Sequence, residues 1–184
     1  MKNNRPQFNY VACPDIEALF SQAALDETDV EFVRFENLAL ESGVYPGLTF
    51  RNCLFAGCHI TGCTLERAAF IDCILEHCDC SNAAVPKAAL ERTRLTDCKL
   101  VGATFSEAFL LDVVFERCVS RYSNFSFSKM RHARFSGCDL SFSALGGCTL
   151  TKTTFEQCLL VRAELFKPLF PASIFPTVTF PVFP

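Results

Sequence analysis

The chain has 184 residues and a formal net charge of −3, with 20 Phe, no Trp and a hydrophobic fraction of 50 %, enough apolar material for one domain with a substantial core. No run of eighteen apolar residues occurs, which excludes a helical membrane span. Met1 to Pro6 also lacks the apolar stretch of a secretory signal, so a cytoplasmic location is expected.

In chain order, the first predicted element is a short amphipathic helix over Pro14-Asp15-Ile16-Glu17-Ala18-Leu19-Phe20. Residues 1–24, chiefly 8–24, are read as an N-terminal cap, and residues 25–167 as a repeat region. From Phe50 to Leu165 every multiple of five is apolar except Ser120, with the small Cys80 as the only other irregularity. Two residues ahead of each runs a second series that, after Leu48, contains only Cys, Ala, Thr, Ser or Val. A period of five is neither the 3.6 of a helix nor the 2 of a strand, and an internal repeat of this kind decides the fold.

Short extended segments that repeat regularly can close into a solenoid of stacked coils. Four pentapeptides on four sides give twenty residues per coil, with each multiple of five and the residue two before it pointing inward. Columns at a spacing of twenty follow. Cys58, Cys78, Cys98, Cys118, Cys138 and Cys158 make one, and Phe55, Leu75, Leu95, Phe115, Phe135, Phe155 and Phe175 another. The first coil, Thr28 to Gly47, is the least regular, with Gly43 where a small inward side chain belongs. Past the repeats, Phe170, Phe175 and Phe180 keep the beat while Pro168, Pro171, Pro176, Pro181 and Pro184 interrupt it. Residues 168–184 are therefore a cover over the last coil or a tail, because proline cannot donate to a strand ladder.

Ten of the 12 cysteines lie in the small inward series, where Ala, Ser and Thr substitute for them freely, and Cys80 is inward too. This placement predicts packed, reduced thiols. Neighbours in a column would be about 4.8 Å apart with parallel Cβ vectors, a poor geometry for a disulfide. Only Cys13 falls outside the repeat.

The sequence resembles the pentapeptide repeat family, whose motif is Ala, Asp/Asn, Leu and two variable residues, with Leu or Phe at the centre. The motif stands here as Ala103-Thr104-Phe105-Ser106-Glu107, Ser123-Asn124-Phe125-Ser126-Phe127 and Cys138-Asp139-Leu140-Ser141-Phe142. The resemblance covers residues 23 to 167 and implies an all-β, right-handed quadrilateral β-helix. The Pro-rich end does not resemble the C-terminal dimerising helix that several small members of that family carry, and a homodimer is left open.

Motifs for chemistry are absent from the sequence: no phosphate loop, no Gly-x-Ser-x-Gly and no HExxH. His59, His77 and His132 lie outside the inward series, and Glu76, His77 and Asp97 read as surface residues. Gly146-Gly147 is expected at a corner. No enzymatic activity, cofactor, metal or small-molecule substrate is expected. Function is thus sought on the surface.

The outward residues Phe109, Leu111, Val114, Val119 and Tyr122 are a candidate protein interface, with Phe127 and Phe142 at corners. The first reading is a non-enzymatic solenoid that presents a rigid face to a protein partner. The resemblance implies an alternative: an acidic rod that mimics DNA, binds DNA gyrase or topoisomerase IV, and protects it from quinolones or a peptide toxin. Charge opposes that alternative. Residues 1–47 hold three Lys/Arg and eight Asp/Glu, a balance of −5, whereas residues 48–167 hold fourteen and twelve, a balance of +2. Nucleic-acid binding is not expected either, because acids are interspersed among Arg92, Arg94, Arg117, Arg121, Arg131 and Arg134.

Overall fold

The computed structural model describes residues 11–12, 15–164 and 177–179. Within them the backbone advances one coil every twenty residues. Phe55 pairs in register with Leu75, then Leu95, Phe115, Phe135 and Phe155, all in parallel strands. The fold is a right-handed β-solenoid with one N-terminal helix.

Each coil has four faces, numbered here by their central inward residues. Face 1 is centred on Val30, Phe50, Phe70, Leu90, Leu110, Met130 and Leu150, the middles of a seven-stranded sheet. Face 2 is the Phe55 to Phe155 column, in a nine-stranded sheet that Val11–Ala12 and Thr177–Thr179 extend at its two ends. Face 3 (Leu40, Ile60 and on to Leu160) begins as the strand pair Ala39–Glu41 and His59–Thr61 and continues as single bridges such as Asp79 to Lys99. Bridges alone, from Val44↔Thr64 to Ala144↔Glu164, build face 4, centred on Tyr45 to Leu145.

Between faces the chain turns at a residue in the left-handed region. Gly47, Gly57, Gly62, Gly102, Gly137 and Gly147 hold some of these corners, and Asn37, Asn52 and Asn82 hold others. Larger residues adopt the same conformation elsewhere, at roughly 1–2 kcal/mol each. The many parallel hydrogen bonds of the stacked coils offset that strain.

Burial follows the two inward series. Phenylalanines one coil apart stack ring on ring: Phe35 on Phe55 and Phe115 on Phe135 at 4.5 Å, Phe135 on Phe155 at 4.8 Å. Across the core, Phe115 meets Phe125 edge to face at 6.0 Å. The coil of Phe70, Leu75, Cys80 and Val85 has less to fill it with, and an apolar cavity of about 50 Å³ opens there.

Helix α1, Ile16–Asp26, plugs the N-terminal end. Asp15 caps it by accepting from the Ala18 N–H at 2.9 Å. Phe20 is buried, 5.0 Å from the Phe50 ring and 5.5 Å from Tyr45. The helix runs further than the expected Pro14–Phe20. It ends where Glu27 takes φ 51, the conformation and column of the later corners. Gly43 also has its reason: a Cβ there would lie 2.1 Å from the Tyr45 ring, which occupies the space meant for a small side chain. Of the expected Pro-rich cover, only Thr177–Thr179 lies within the described residues, pairing parallel with Glu156–Leu159.

Candidate binding surface

Inside the rod the polar groups serve the fold. Corners after faces 3 and 4 mostly close with a backbone bond from the small residue to the central carbonyl, as in Ala83 to Cys80, Ala103 to Leu100, Ala108 to Phe105 and Ser128 to Phe125. That small residue is then Ala or Ser. After faces 1 and 2, where the central carbonyl lies within the strand ladder, a side chain of the next coil reaches it as well. Cys73 donates to Phe50, Cys78 to Phe55, Cys118 to Leu95 and Cys138 to Phe115, at 3.4–3.5 Å. Thr93 and Thr153 do the same with hydroxyls. Cys and Ala are therefore not interchangeable in this series, contrary to the expectation from sequence. Corner type mostly sorts them; Val113 and Ala133 after face 1, and Cys63 and Cys148 after faces 3 and 4, are the exceptions.

These thiols are unsuited to chemistry. Burial pushes Cys63, Cys80 and Cys148 up. Hydrogen bonds between column neighbours push Cys98 and Cys158 up and Cys78 and Cys118 down. Burial opposes every charged form, and neighbours in the column titrate as a coupled unit. Cys13 lies outside the described residues. Of the remaining cysteines all are buried except the half-buried Cys148.

On the outside, most charges are paired. Arg92 grips Asp72 through two bonds of 2.7 and 2.8 Å, and Arg117 grips Asp97 at 2.8 Å twice, each one coil back. His77 stands 4.0 Å from the same Asp97, whose oxygens Arg117 already holds. His132 bonds Asp112 at 3.0 Å, and Arg121 lies near Asp139. On face 2, Arg34 pairs with Glu36 at 2.6 Å, Arg94 with Glu116 at 3.7 Å and Arg134 with Glu156 at 2.8 Å. Among the described residues, no group of three or more His, Cys, Asp or Glu is placed to hold a metal ion, and no helix is long and apolar enough to cross a membrane.

The five candidate interface residues belong to one coil and are spread around it. Phe109 and Leu111 flank Leu110 on face 1, Val114 is on face 2, Val119 on face 3 and Tyr122 at the next corner. Charged residues stand directly beside several of them: Lys129 by Phe109, Arg131 by Leu111, and Arg94 and Arg134 by Val114. Tyr122 alone of the five meets another corner aromatic ring, the half-buried Phe142. It stacks on Phe142 at 5.0 Å, and Arg121 and Arg162 lie with their Cζ atoms 6.0 Å from the Phe142 centroid. At the opposite edge of face 4 stands Phe127, its ring covering Gly147, where a Cβ would be 2.5 Å from the ring. Between these edges the outward residues are Thr104, Ser106, Asn124, Ser126, Ala144 and Gly146, without a charge. Sequence spacing could have found this edge, because residues twenty apart stack: Tyr122 and Phe142 are such a pair.

Repeat length, register and the inward series define a pentapeptide solenoid, and the comparisons agree. A model of the pentapeptide repeat region matches residues 68–145 and 88–165, and one of pentapeptide repeats (8 copies) matches 49–79. The chain belongs to the pentapeptide repeat family. No curated protein matches it. Among solved structures it is similar to a trypsin-treated form of QnrB1, a plasmid-mediated fluoroquinolone resistance protein, at 20 % identity, TM-score 0.39, over 79 % of this chain and 83 % of that one. Rfr23 from the cyanobacterium Cyanothece 51142 follows at 17 % identity, TM-score 0.29, over 77 % and 99 %. HetL, involved in heterocyst differentiation regulation in Nostoc sp. strain PCC 7120, stands at 15 %, TM-score 0.27, over 83 % and 95 %. The family assignment rests on the repeat models.

Proposed function

We propose that this chain is a non-enzymatic, protein-binding solenoid of the cytoplasm, whose partner contacts the aromatic-edged part of face 4. One observation carries the reading. Tyr122 and Phe127 are bulky, 58 % and 68 % exposed, and held at left-handed corners. Both properties disfavour them there. Gly62, Asn82 and Gly102 fill the same column as Tyr122, and Gly47 and Gly147 that of Phe127, so the fold does not need an aromatic ring at either place. Exposed Tyr and Phe beside arginines around a flat uncharged floor have the composition of a protein-binding hot spot. The thiol hydrogen bonds require reduced cysteines, which supports a cytoplasmic location. Affinity capture with wild type and with a Tyr122→Asn, Phe127→Gly, Phe142→Gly variant tests the proposal. A specific partner should be lost by the variant while its melting temperature holds or rises. Equal capture by both would refute the reading.

A regular acidic column keeps the DNA-mimic reading in play as the second. Glu36, Glu76, Glu116 and Glu156 recur every second coil on face 2, about 9.6 Å apart. Arginines on the same face pair with three of them, which removes the phosphate-like potential that a gyrase-binding mimic needs. DNA supercoiling by gyrase, with and without a fluoroquinolone, separates the two readings. No rescue is expected, and stoichiometric rescue would reverse their order.

A further inference from the structure

We propose that face 1 is a self-association surface on which two copies of this chain pack antiparallel, face to face, about a two-fold axis. Face 1 has opposite charge at its two ends. Asp29 and Glu31 flank Val30 in the first coil, with Glu27 and Asp26 close by in sequence, and the single Arg51 serves both of the flanking acids, at 2.6 and 3.8 Å. Five coils on, Lys129 and Arg131 flank Met130, exposed and without an ion pair among the described residues. Between the two ends the outward residues include Ala69, Ile71, Ala89, Phe109 and Leu111, a flat and largely apolar strip of parallel sheet.

An axis lying in the contact plane, parallel to the strands and midway between the coils of Phe70 and Leu90, brings each end of one copy onto the opposite end of the other. Asp29 then meets Lys129 of the second copy, and Glu31 meets Arg131. Thr49 and Arg51 come opposite Phe109 and Leu111, while Ala69 and Ile71 come opposite Ala89 and Glu91. The contact is isologous, so every charge pair is made twice. A parallel arrangement would instead place acid on acid and base on base. Face 1 spans about 29 Å for seven strands at ~4.8 Å and roughly 10–15 Å across, on the order of 400 Å² per copy. Stable interfaces bury about 800 Å² per partner, so the dimer formed here is a weak one, with a dissociation constant in the micromolar range and sensitive to salt.

Sedimentation equilibrium of the intact chain from about 5 to 500 µM reads the mass directly. Wild type should move from monomer toward dimer without larger species, and the dimer should weaken at least several-fold in 1 M salt. Glu31→Lys and Arg131→Glu, each kept as folded as wild type by circular dichroism, should each be monomeric over that range, because both copies then present like charges. Mixed in equal amounts they should dimerise again, since the mixed pair restores opposite charge at both ends. A wild type that stays monomeric throughout, a dimer indifferent to both substitutions, or a mixture that remains monomeric would overturn the proposal. Each readout is independent of partner capture through face 4.

Discussion

Thr93 donates its hydroxyl to the carbonyl of Phe70 at 2.9 Å, reaching back twenty-three positions to the coil before it. One column position along, Val113 has the same shape and no donor. Thr93→Val should therefore fit sterically yet remove this added bond to the Phe70 carbonyl, destabilising by about 1 kcal/mol. Val113→Thr should gain a comparable bond to the Leu90 carbonyl and stabilise by roughly 0.5–1 kcal/mol. Urea unfolding of both variants checks this, and equal stabilities would show that the side-chain donor contributes nothing.

The thiols should be unreactive in the folded state. In a Cys13→Ser background, a thiol reagent added to native protein should label Cys148 first, since it alone among the described cysteines is half-buried, and its thiol bonds Ser128 at 3.4 Å. The rest should react only on unfolding. Rapid labelling of the Cys58 to Cys158 column in folded protein would contradict the burial reported above.

Core filling should matter in both directions. Phe115 is fully buried and stacks on Phe135 at 4.5 Å. Phe115→Asp should unfold the middle coils, because an unpaired buried carboxylate costs several kcal/mol. Val85→Leu should act oppositely. It extends a side chain toward the cavity of about 50 Å³ and copies the Leu65 and Leu145 of its own column, so a gain of ~0.5–1 kcal/mol is expected from about one buried methylene. Thermal melts read both, and a loss on Val85→Leu would mean that the cavity cannot accept a methylene without strain.

Acid should weaken the rod through its corner pairs. Hydrogen bonds from Arg92 and Arg117 hold Asp72 and Asp97 below the usual carboxylate range. A carboxylate depressed in the folded state stabilises above its unfolded pKa of about 3.9, and that stabilisation is lost as pH falls through the lower folded value. The melting temperature should accordingly decline below about pH 4. Arg92→Gln and Arg117→Gln together should flatten that decline and lower stability slightly at pH 7, less so in high salt. An unchanged acid slope in the double variant would show that these pairs are energetically silent.

Much of this architecture is legible in the sequence because a period of five leaves little choice. Phe55, Leu75, Leu95, Phe115, Phe135 and Phe155 fall in one column once four sides are assumed, and the strands pair in that register. The inward phase of both series is equally plain from residue size. The helix end at Asp26 was hidden, because Glu27 stops it with a left-handed conformation that its residue type does not favour.

The surface is where tertiary structure decides. Phe109, Val114 and Val119 are close in sequence, yet each five-residue step turns the chain by one corner and sends its outward side chain to another face. Tyr122 and Phe142 are far apart in sequence and stack at 5.0 Å. The choice between Cys and Ala is likewise settled by whether a corner closes on its own backbone, as at Ala103, or draws its donor from the next coil, as at Cys98. The sequence by itself determines the repeat, the inward phase and the coil length, since these need only local size and period. Which outward groups meet, and which carbonyl receives a side-chain donor, depends on contacts between coils twenty residues apart, and only the closed solenoid brings those together.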